Sequence, residues 1–305
     1  MEIKQLEVFA CVAQTLNFSK AAEMLHISQP TVSAGVRSLE KDLGAQLLIR
    51  NTKEVALTKA GLELLAYAQK ILALREEALH SLGGQDTQMQ GAMDILASTI
   101  PAQHLLPEII AAFQRQWPNI LFRVQQADSR QVEREMGGFR YDFGLVGTVP
   151  QDQSLIHCPV FEDELVLVIP SDAPESPREI RENFAAYVTS APFLMREAGS
   201  GTRIEMEGIL TKVGVNPGDL QVRAYFSDAH GILGAISHGM GISLISKVAA
   251  ALYVEQGLVR AVEMDGPLFR RQIHLLYNKE RWLSPMQKAF ARHVERFYRG
   301  GPQQE

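Results

Sequence analysis

The sequence has little of what stabilises secreted or membrane-spanning proteins. Its 305 residues include only two cysteines, Cys11 and Cys158, which lie in distant segments. Two isolated cysteines form no disulfide framework, so we expect free thiols in a reducing compartment. No apolar run reaches the roughly 18 residues that a membrane helix needs. The first residues also lack the basic and apolar regions of a signal peptide. We therefore expect a cytoplasmic protein with no membrane partner.

Motifs of catalysis and metal binding are missing as well. The eight histidines are scattered, and none pairs with a cysteine or a carboxylate at the spacing of metal ligands. Neither a G-x-S-x-G elbow nor a dinucleotide-type G-x-G-x-x-G is present. The acidic cluster of residues 162–164 is interpreted as a solvated strand edge. The sequence therefore predicts a protein that is not an enzyme and carries no metal and no cofactor.

Charge of either sign is also in short supply. The formal net charge is −5 and mean hydropathy is −0.06, as in an ordinary globular protein. Residues 1–60 carry seven basic and six acidic side chains, a net charge of +1, so the remainder carries −6. Any nucleic-acid surface is therefore local and modest, which suits a protein that binds as an oligomer.

The sequence predicts several short helices in residues 1–60. Apolar residues recur at helical spacing from Leu6 to Ala13, and Asn17 is a helix-start signal before "KAAEML". Ser28 and Pro30 then form a clear N-terminus for a second helix, which Gly44 ends. The segment "AQLLIRNTKEVALT" reads as two short strands around a polar turn. This is the layout of a winged helix-turn-helix.

The outer face of the second helix is polar in a way that packing does not require. Short hydrogen-bonding side chains near its start can approach base edges, and cations on the helix and wing can bind guanine or phosphate. The alternative is a helical hairpin with a solvated face. The predicted DNA-binding residues are Ser28, Gln29, Pro30, Thr31, Ser33, Arg37, Arg50, Thr52 and Lys53.

A long helix follows over residues 61–90, with a polar hinge at its end. Its apolar residues fall in heptad steps at Leu65, Leu72 and Leu79, beside Leu64 and Ile71. Such a stripe either packs on its own domain or pairs with a second chain. Because the N-terminal domain is small, we expect pairing. From residue 91 onward, strands alternate with helices, which predicts mainly parallel sheets covered on both faces and divided into two lobes around a cleft.

The segment "FSKAAEMLHISQPTVSAGVRSLEKDLGAQLLIRNTKEVALTKAG" resembles the N-terminal signature of LysR-type transcriptional regulators. The similarity rests on spaced matches over 45 residues, and the long helix and α/β region extend it to the entire chain. Two positions depart from the family pattern. Leu48 stands where phenylalanine is usual, and Gly35 stands where a longer polar residue is common. Gly35 thus predicts the loss of one base contact.

The resemblance implies a periplasmic-binding-protein-like effector domain made of two α/β lobes. Lobe I is expected at residues 91–161 and 268–305, and lobe II at 162–267. A small effector would bind between them. The implied partners are double-stranded DNA, a second copy in a homodimer that assembles into a homotetramer, and RNA polymerase. A competing interpretation is a small-molecule-binding protein or enzyme with a helical dimerisation domain that does not bind DNA.

Effector contacts are expected at the carboxyl ends of strands, where open α/β sheets bind ligands. Hydroxyls beside helix N-termini and an arginine suit a small anion. Plain helix caps and a glycine turn at "REAGSGTR" are the structural alternative. The polar set also resembles the branch of the family linked to sulfur and selenium metabolism, although "REAGSGTR" recurs in a carbon-fixation branch too. The predicted effector residues are Ser98, Thr99, Gln103, Thr148, Ser200, Thr202, Arg203 and Ser227.

Overall fold

The N-terminal domain consists of three short helices, a two-stranded wing and the start of a long helix. A computed structural model describes residues 1–50, 55–82, 89–138 and 140–298. The elements of this domain are α1 (Ile3–Thr15), α2 (Phe18–Met24), α3 (Gln29–Leu43), β1 (Leu48–Arg50), β2 (Val55–Leu57) and α4 (Lys59–Leu82). β1 and β2 pair antiparallel, as the predicted wing requires.

α3 forms where the sequence predicts it, for the reasons expected. Ser28 caps it by accepting a hydrogen bond from the backbone N–H of Thr31 at 3.3 Å. Val32, Val36 and Leu39 are each fully buried and form its inward stripe. Gly44 ends the helix with φ = 63°, a left-handed conformation that glycine adopts without strain.

α4 corrects one expectation about its apolar stripe. Leu65 is only 3% exposed, and Leu64, Ile71 and Leu72 also pack against the core of the N-terminal domain. The domain therefore covers the first two heptads of the predicted seam itself. Beyond it, apolar side chains of α4 stay at the surface, with Leu74 at 50% and Leu79 at 52% exposure.

The remainder of the chain forms two lobes. The first part of lobe I contains β3 (Gly91–Ala97), a π-helical turn (Pro101–Leu105), α5 (Leu106–Gln116), β4 (Ile120–Gln126), α6 (Ser129–Met136) and β5 (Phe143–Val146). The strand β6 (Leu155–Pro170) then leads into lobe II. After lobe II, the chain returns to lobe I with β11 (Arg270–Asn278) and α12 (Pro285–Phe297). Lobe II contains α7 (Pro177–Glu182), α8 (Phe184–Ser190), β7 (Pro192–Arg196), α9 (Gly201–Lys212), β8 (Gln221–Phe226), α10 (Ala229–Ser237), β9 (Ser243–Ser246), α11 (Lys247–Glu255) and β10 (Val259–Val262).

One long strand, β6, runs through both lobes. The sheet has the order β10-β6-β11-β5-β3-β4, and β9 also pairs with β6. β3 pairs in parallel with β4 and β5, and β7 with β8, as expected. All pairings of β6 are antiparallel, as is that of β11 with β5, so the prediction of mainly parallel sheets was wrong for the strands that join the lobes.

Several elements were not predicted. The sequence patterns give no prediction for the first half of β6 or for β10, α7 and α8. The expected lobe boundary at residues 161 and 162 falls inside β6. The boundary at 267 and 268 falls in the 3₁₀ turn Pro267–Phe269. Both boundaries stay predictions.

Each lobe has its own core. In lobe I, Phe113 and Phe143 stand 5.1 and 5.6 Å from Phe290, measured between ring centroids, and tie α5, β5 and α12 together. In lobe II, residues of β6, α8, β7 and α9 form a second buried cluster. The carboxyl ends of β3, β5 and β7 meet where the lobes face each other. No helix of the described residues is long and apolar enough to cross a membrane.

Candidate functional site

The outer face of α3 presents most of the residues predicted to bind DNA. Ser28, Gln29, Pro30, Thr31 and Arg37 are exposed, whereas Ser33 is half-buried. The hydroxyls of Ser28 and Thr31 lie 2.7 Å apart, so the cap also orients the first polar side chains of the helix. These short groups at a helix N-terminus can reach base edges, with a cation two turns further on.

Gly35 has a packing role that the sequence interpretation missed. A Cβ placed on it would stand 3.3 Å from Cγ1 of Val8, so Gly35 faces α1 and not the outer surface. The expected loss of a base contact at this position was therefore wrong. Gly35 instead lets α1 and α3 approach closely.

The wing is only partly described. Arg50 is the last residue of β1, but its side chain lies outside the described part of the structure, as do Thr52 and Lys53. Thr58 closes the wing by donating to the carbonyl of Gln46 at 2.7 Å. It also accepts from the N–H of Gly61 at 2.9 Å. The wing is thus joined directly to the start of α4.

A narrow polar cleft separates the two lobes. Its volume is about 10 Å³, roughly what a single water molecule needs. Ser98, Thr99, Ser200 and Thr202, all predicted as effector residues, line it together. The sequence interpretation missed Asp128, Ser129, Arg196 and Arg271, which line it as well.

Arg271 is held in the cleft by a buried ion pair. Its Nε and Nη2 stand 2.9 and 2.8 Å from Oδ2 of Asp163, and the two side chains are only 3% and 0% exposed. Ser246 donates to the other oxygen of Asp163 at 2.6 Å. Asp163 therefore anchors Arg271, and the interpretation of residues 162–164 as a solvated edge was wrong at this position. Burial raises the pKa of the neighbouring Glu205 carboxyl, and Arg271 opposes that effect.

Arg196 is the second arginine that lines the cleft. Its Nε and Nη2 hold both oxygens of Glu197 at 2.9 and 2.8 Å, and Nη2 also donates to the carbonyl of Ser227 at 2.8 Å. The same nitrogen reaches Oγ1 of Thr99 across the cleft at 3.2 Å. Nη1 of Arg271 likewise donates to Oγ1 of Thr202 at 3.2 Å. Each arginine thus contacts a threonine of the opposite lobe.

The structure does not bring the other predicted effector residues into the cleft lining. Gln103 donates to Gln126 on the surface, and Thr148 lies at the rim beside Gly201. Nε of Arg203 donates to Oε1 of Glu207 at 2.7 Å. Ser227 contributes its carbonyl to Arg196, and its side chain does not cap α10, because Asp228 does.

Two helix N-termini point at this cleft. α9 begins at Gly201, and its N-cap residue Ser200 forms no side-chain capping bond. α6 begins at Ser129, a residue that is 2% exposed and whose buried hydroxyl has no hydrogen-bond partner among the described residues. A Cβ on Gly201 would stand 2.5 Å from that hydroxyl, so glycine is what lets the lobes approach. The arrangement suits a small anion, because N–H and O–H donors converge there.

Two family models match the chain. Residues 3–62 match the bacterial regulatory helix-turn-helix protein, lysR family, and residues 86–299 match the LysR substrate binding domain. The RuBisCO operon transcriptional regulator of Allochromatium vinosum is 31% identical over 96% of this chain and 95% of its own length. The probable RuBisCO transcriptional regulator of Cyanophora paradoxa is 27% identical over 96% and 90%. These relatives do not support a sulfur or selenium branch.

Solved structures share the architecture. A full-length OxyR variant from Pseudomonas aeruginosa has a TM-score of 0.73 at 19% identity, covering 97% of this chain and 98% of that one. Full-length CbnR complexed with target DNA has a TM-score of 0.57 at 21% identity, covering 97% and 99%. The CcmR regulatory domain of Synechocystis PCC6803 in complex with 2-PG has a TM-score of 0.60 at 21% identity, covering 68% and 97%. They establish the predicted two-part fold.

Proposed function

Since this chain belongs to the LysR family of transcriptional regulators, we propose that it controls carbon-fixation genes in response to a small anion bound between its lobes. The family consists of DNA-binding regulators and not of enzymes. The carbon-fixation assignment is supported by the 31% identity to the RuBisCO operon regulator over nearly the whole chain. Because its target is DNA, we place its action in the cytoplasm.

The observation that carries the effector proposal is the convergence of two buried arginines and two helix N-termini on one cleft. Arg196 and Arg271 each extend to a threonine of the opposite lobe, so a ligand that engages these groups contacts both lobes at once. The CcmR structure holds 2-PG in its regulatory domain, which supports a small metabolite here as well. An effector changes DNA binding only by favouring one lobe or subunit arrangement over another.

Oligomerisation belongs to the same proposal. The exposed apolar residues of α4 include Tyr67 at 63% and Leu74 at 50% exposure, one heptad apart on one face. We propose that this face pairs with α4 of a second copy and that two dimers form the tetramer. A dimer presents two copies of α3, which compensates for the modest positive charge of one N-terminal domain. RNA polymerase is the proposed further partner at the promoter.

Salt dependence tests the DNA-binding part. Fluorescence anisotropy with a duplex from the region upstream of the chain's own gene should show affinity falling steeply with salt, since bound cations displace counterions. Arg37→Ala should weaken binding. The matched control, Arg178→Ala, removes an exposed arginine of lobe II and should leave binding unchanged. A protein without salt-dependent duplex affinity would contradict the proposal.

Thr202→Val tests the effector part. The substitution removes the hydroxyl that accepts from Arg271 while keeping the side-chain volume, at a site far along the chain from α3. We expect DNA affinity to persist and the response to 2-PG or phosphate to be lost. An unchanged response would remove Thr202 from the site.

A further inference from the structure

The hydrogen bonds already made in the cleft determine what its hydroxyls can offer a ligand. A guanidinium can only donate, so Thr99 and Thr202 must accept the bonds from Arg196 and Arg271. Each threonine hydroxyl hydrogen is then left for another acceptor. The two threonines are thereby fixed as donors on opposite lobes, and the cleft selects for acceptor atoms between them.

Two further donors in this cleft have no partner among the described residues. Oγ of Ser129 is buried, with the residue 2% exposed, and makes no hydrogen bond. Arg196 is 5% exposed, and its bonds engage Nε and Nη2 but not Nη1. A buried polar group without a partner destabilises the fold. The hydroxyl of Ser129 therefore points to a ligand oxygen as its missing partner, and Nη1 of Arg196 is available to donate to the same ligand.

The cleft nevertheless carries no excess of positive charge. Asp163 neutralises Arg271, and Glu197 neutralises Arg196 in a two-pronged contact. Asp128 adds a further carboxylate to the lining. These carboxylates would repel a highly charged ligand such as a nucleoside triphosphate, and no excess of cations would compensate that repulsion. Neutral donors and helix N-termini suit a compact oxyanion of low charge.

Asp128 adds a carboxylate acceptor to these donors. Its Oδ1 accepts the N–H of Gln131 at 2.9 Å as the cap of α6, and Oδ2 has no donor among the residues that the structure describes. A carboxylate can only accept, so an anionic ligand oxygen beside Oδ2 is repelled unless it carries a proton. Beside the half-buried Asp128, an O–H on the ligand is therefore favoured over an anionic oxygen.

We propose that the effector is a small molecule that joins a compact oxyanion to an O–H donor, with the O–H bonded to Asp128. Hydroxy acids and hydrogen phosphate groups share this chemistry. The oxyanion contacts Nη1 of Arg196 and the hydroxyls of Thr99, Thr202 and Ser129. This inference rests on the proposed effector site and makes Asp128 the residue that determines specificity.

Matched probes test the requirement for an O–H on the full-length protein without DNA. Phosphate carries a P–OH at neutral pH and sulfate does not, and glycolate carries a hydroxyl that acetate lacks. At equal ionic strength, calorimetry and thermal shift should give each O–H-bearing probe at least about tenfold tighter binding than its partner. Preference for phosphate alone or glycolate alone identifies the oxyanion and still supports the proposal.

The substitution Asp128→Asn tests the role of Asp128 as an acceptor apart from its role as the cap of α6. Asparagine caps helices as well as aspartate does, so the fold should persist while the negative charge disappears. The preference for phosphate over sulfate should then fall to about twofold or less, or reverse, because the amide can also donate. Asp172→Asn, in the exposed turn after β6, is the matched control and should keep the wild-type preference.

Four outcomes would overturn the inference: equal binding within both pairs, tighter binding of sulfate than of phosphate, binding of none of the four probes, or an unchanged preference in Asp128→Asn. The proposed function is judged separately by the salt titration of DNA binding. A protein that binds its promoter but prefers sulfate remains a LysR-type regulator with a different effector chemistry.

Discussion

Removing one member of the buried pair of Asp163 and Arg271 should strongly destabilise the lobe junction. Asp163→Asn keeps the side-chain shape but leaves the guanidinium of Arg271 buried without its counter-charge, since the two are 0% and 3% exposed. Breaking one side of such a pair costs about 3–5 kcal/mol. For an effector region of this size, that corresponds to a melting temperature lower by about 10 °C.

β6 and β11 also carry an exposed ion pair that serves as the control for Asp163→Asn. Glu162 and Arg270 neighbour the buried pair along β6 and β11 and form an ion pair with a distance of 3.2 Å, but they are 52% and 55% exposed. Exposed pairs contribute about 0–1 kcal/mol, so Glu162→Gln should be nearly silent. Chemical denaturation monitored by circular dichroism and by tryptophan fluorescence would compare the two variants.

A double variant decides whether the effect comes from the unpaired charge. Asp163→Leu combined with Arg271→Met removes both charges and should recover most of the free energy of unfolding that Asp163→Asn loses, because the pair as a whole contributes little net stability. Its effector response should still be absent. If Asp163→Asn were as silent as Glu162→Gln, the assignment of Asp163 as the anchor of Arg271 would be refuted.

Further predictions concern the cleft, the helix surface and pH. Ser129→Ala should raise the free energy of unfolding by about 1 kcal/mol in chemical denaturation, because the buried hydroxyl has no partner among the described residues, while weakening phosphate binding. Leu74→Glu should shift the protein toward monomers in light scattering, whereas an unchanged mass would exclude the exposed face of α4 from the interface. Burial lowers the pKa of His104, His274 and His293, so their folded-state pKa values lie below the unfolded value of about 6.5. Stability should therefore fall as pH drops below about 6.5, and His274→Gln should flatten that decline.

Local signals predicted α3 completely and β6 only in part. A capping serine, a proline in the first turn and a stripe of Val32, Val36 and Leu39 specify a helix within one stretch of chain. β6 lacks such self-contained signals in its first half, where the alternation is interrupted by exposed residues such as His157 and Pro159. Its pairing with β11 joins segments more than 100 residues apart, and sequence periodicity does not determine such pairing.

Asp163 and Arg271 could have been found from the sequence by following the period of the strands. Asp163 is in phase with Leu165 and Leu167, and Arg271 is in phase with Ile273, so both charges fall at inward positions. An inward charge on a buried strand requires a partner, and one basic and one acidic candidate satisfy each other. Reading the acidic cluster by composition alone hid this pattern. Ser129 gave no comparable signal, since a serine after a capping aspartate is ordinary.

The small volume of the cleft determines how an effector must act on the rest of the molecule. A space of about 10 Å³ admits no metabolite, and Thr99 and Thr202 each bridge to an arginine of the opposite lobe across it. A ligand must therefore part the lobes and exchange these bonds for its own. β6 runs continuously through both lobes, and the 3₁₀ turn Pro267–Phe269 before β11 makes the second connection, so a movement of the lobes bends or twists the chain at these two segments. α12 of lobe I also packs on α4, α4 packs on α1, and α1 packs on α3, so helix contacts join lobe I to the DNA-binding helix. The free energy available for regulation is then the difference between the ligand's binding free energies for the two lobe arrangements. Substitutions of Asp128 and Thr202 change this difference.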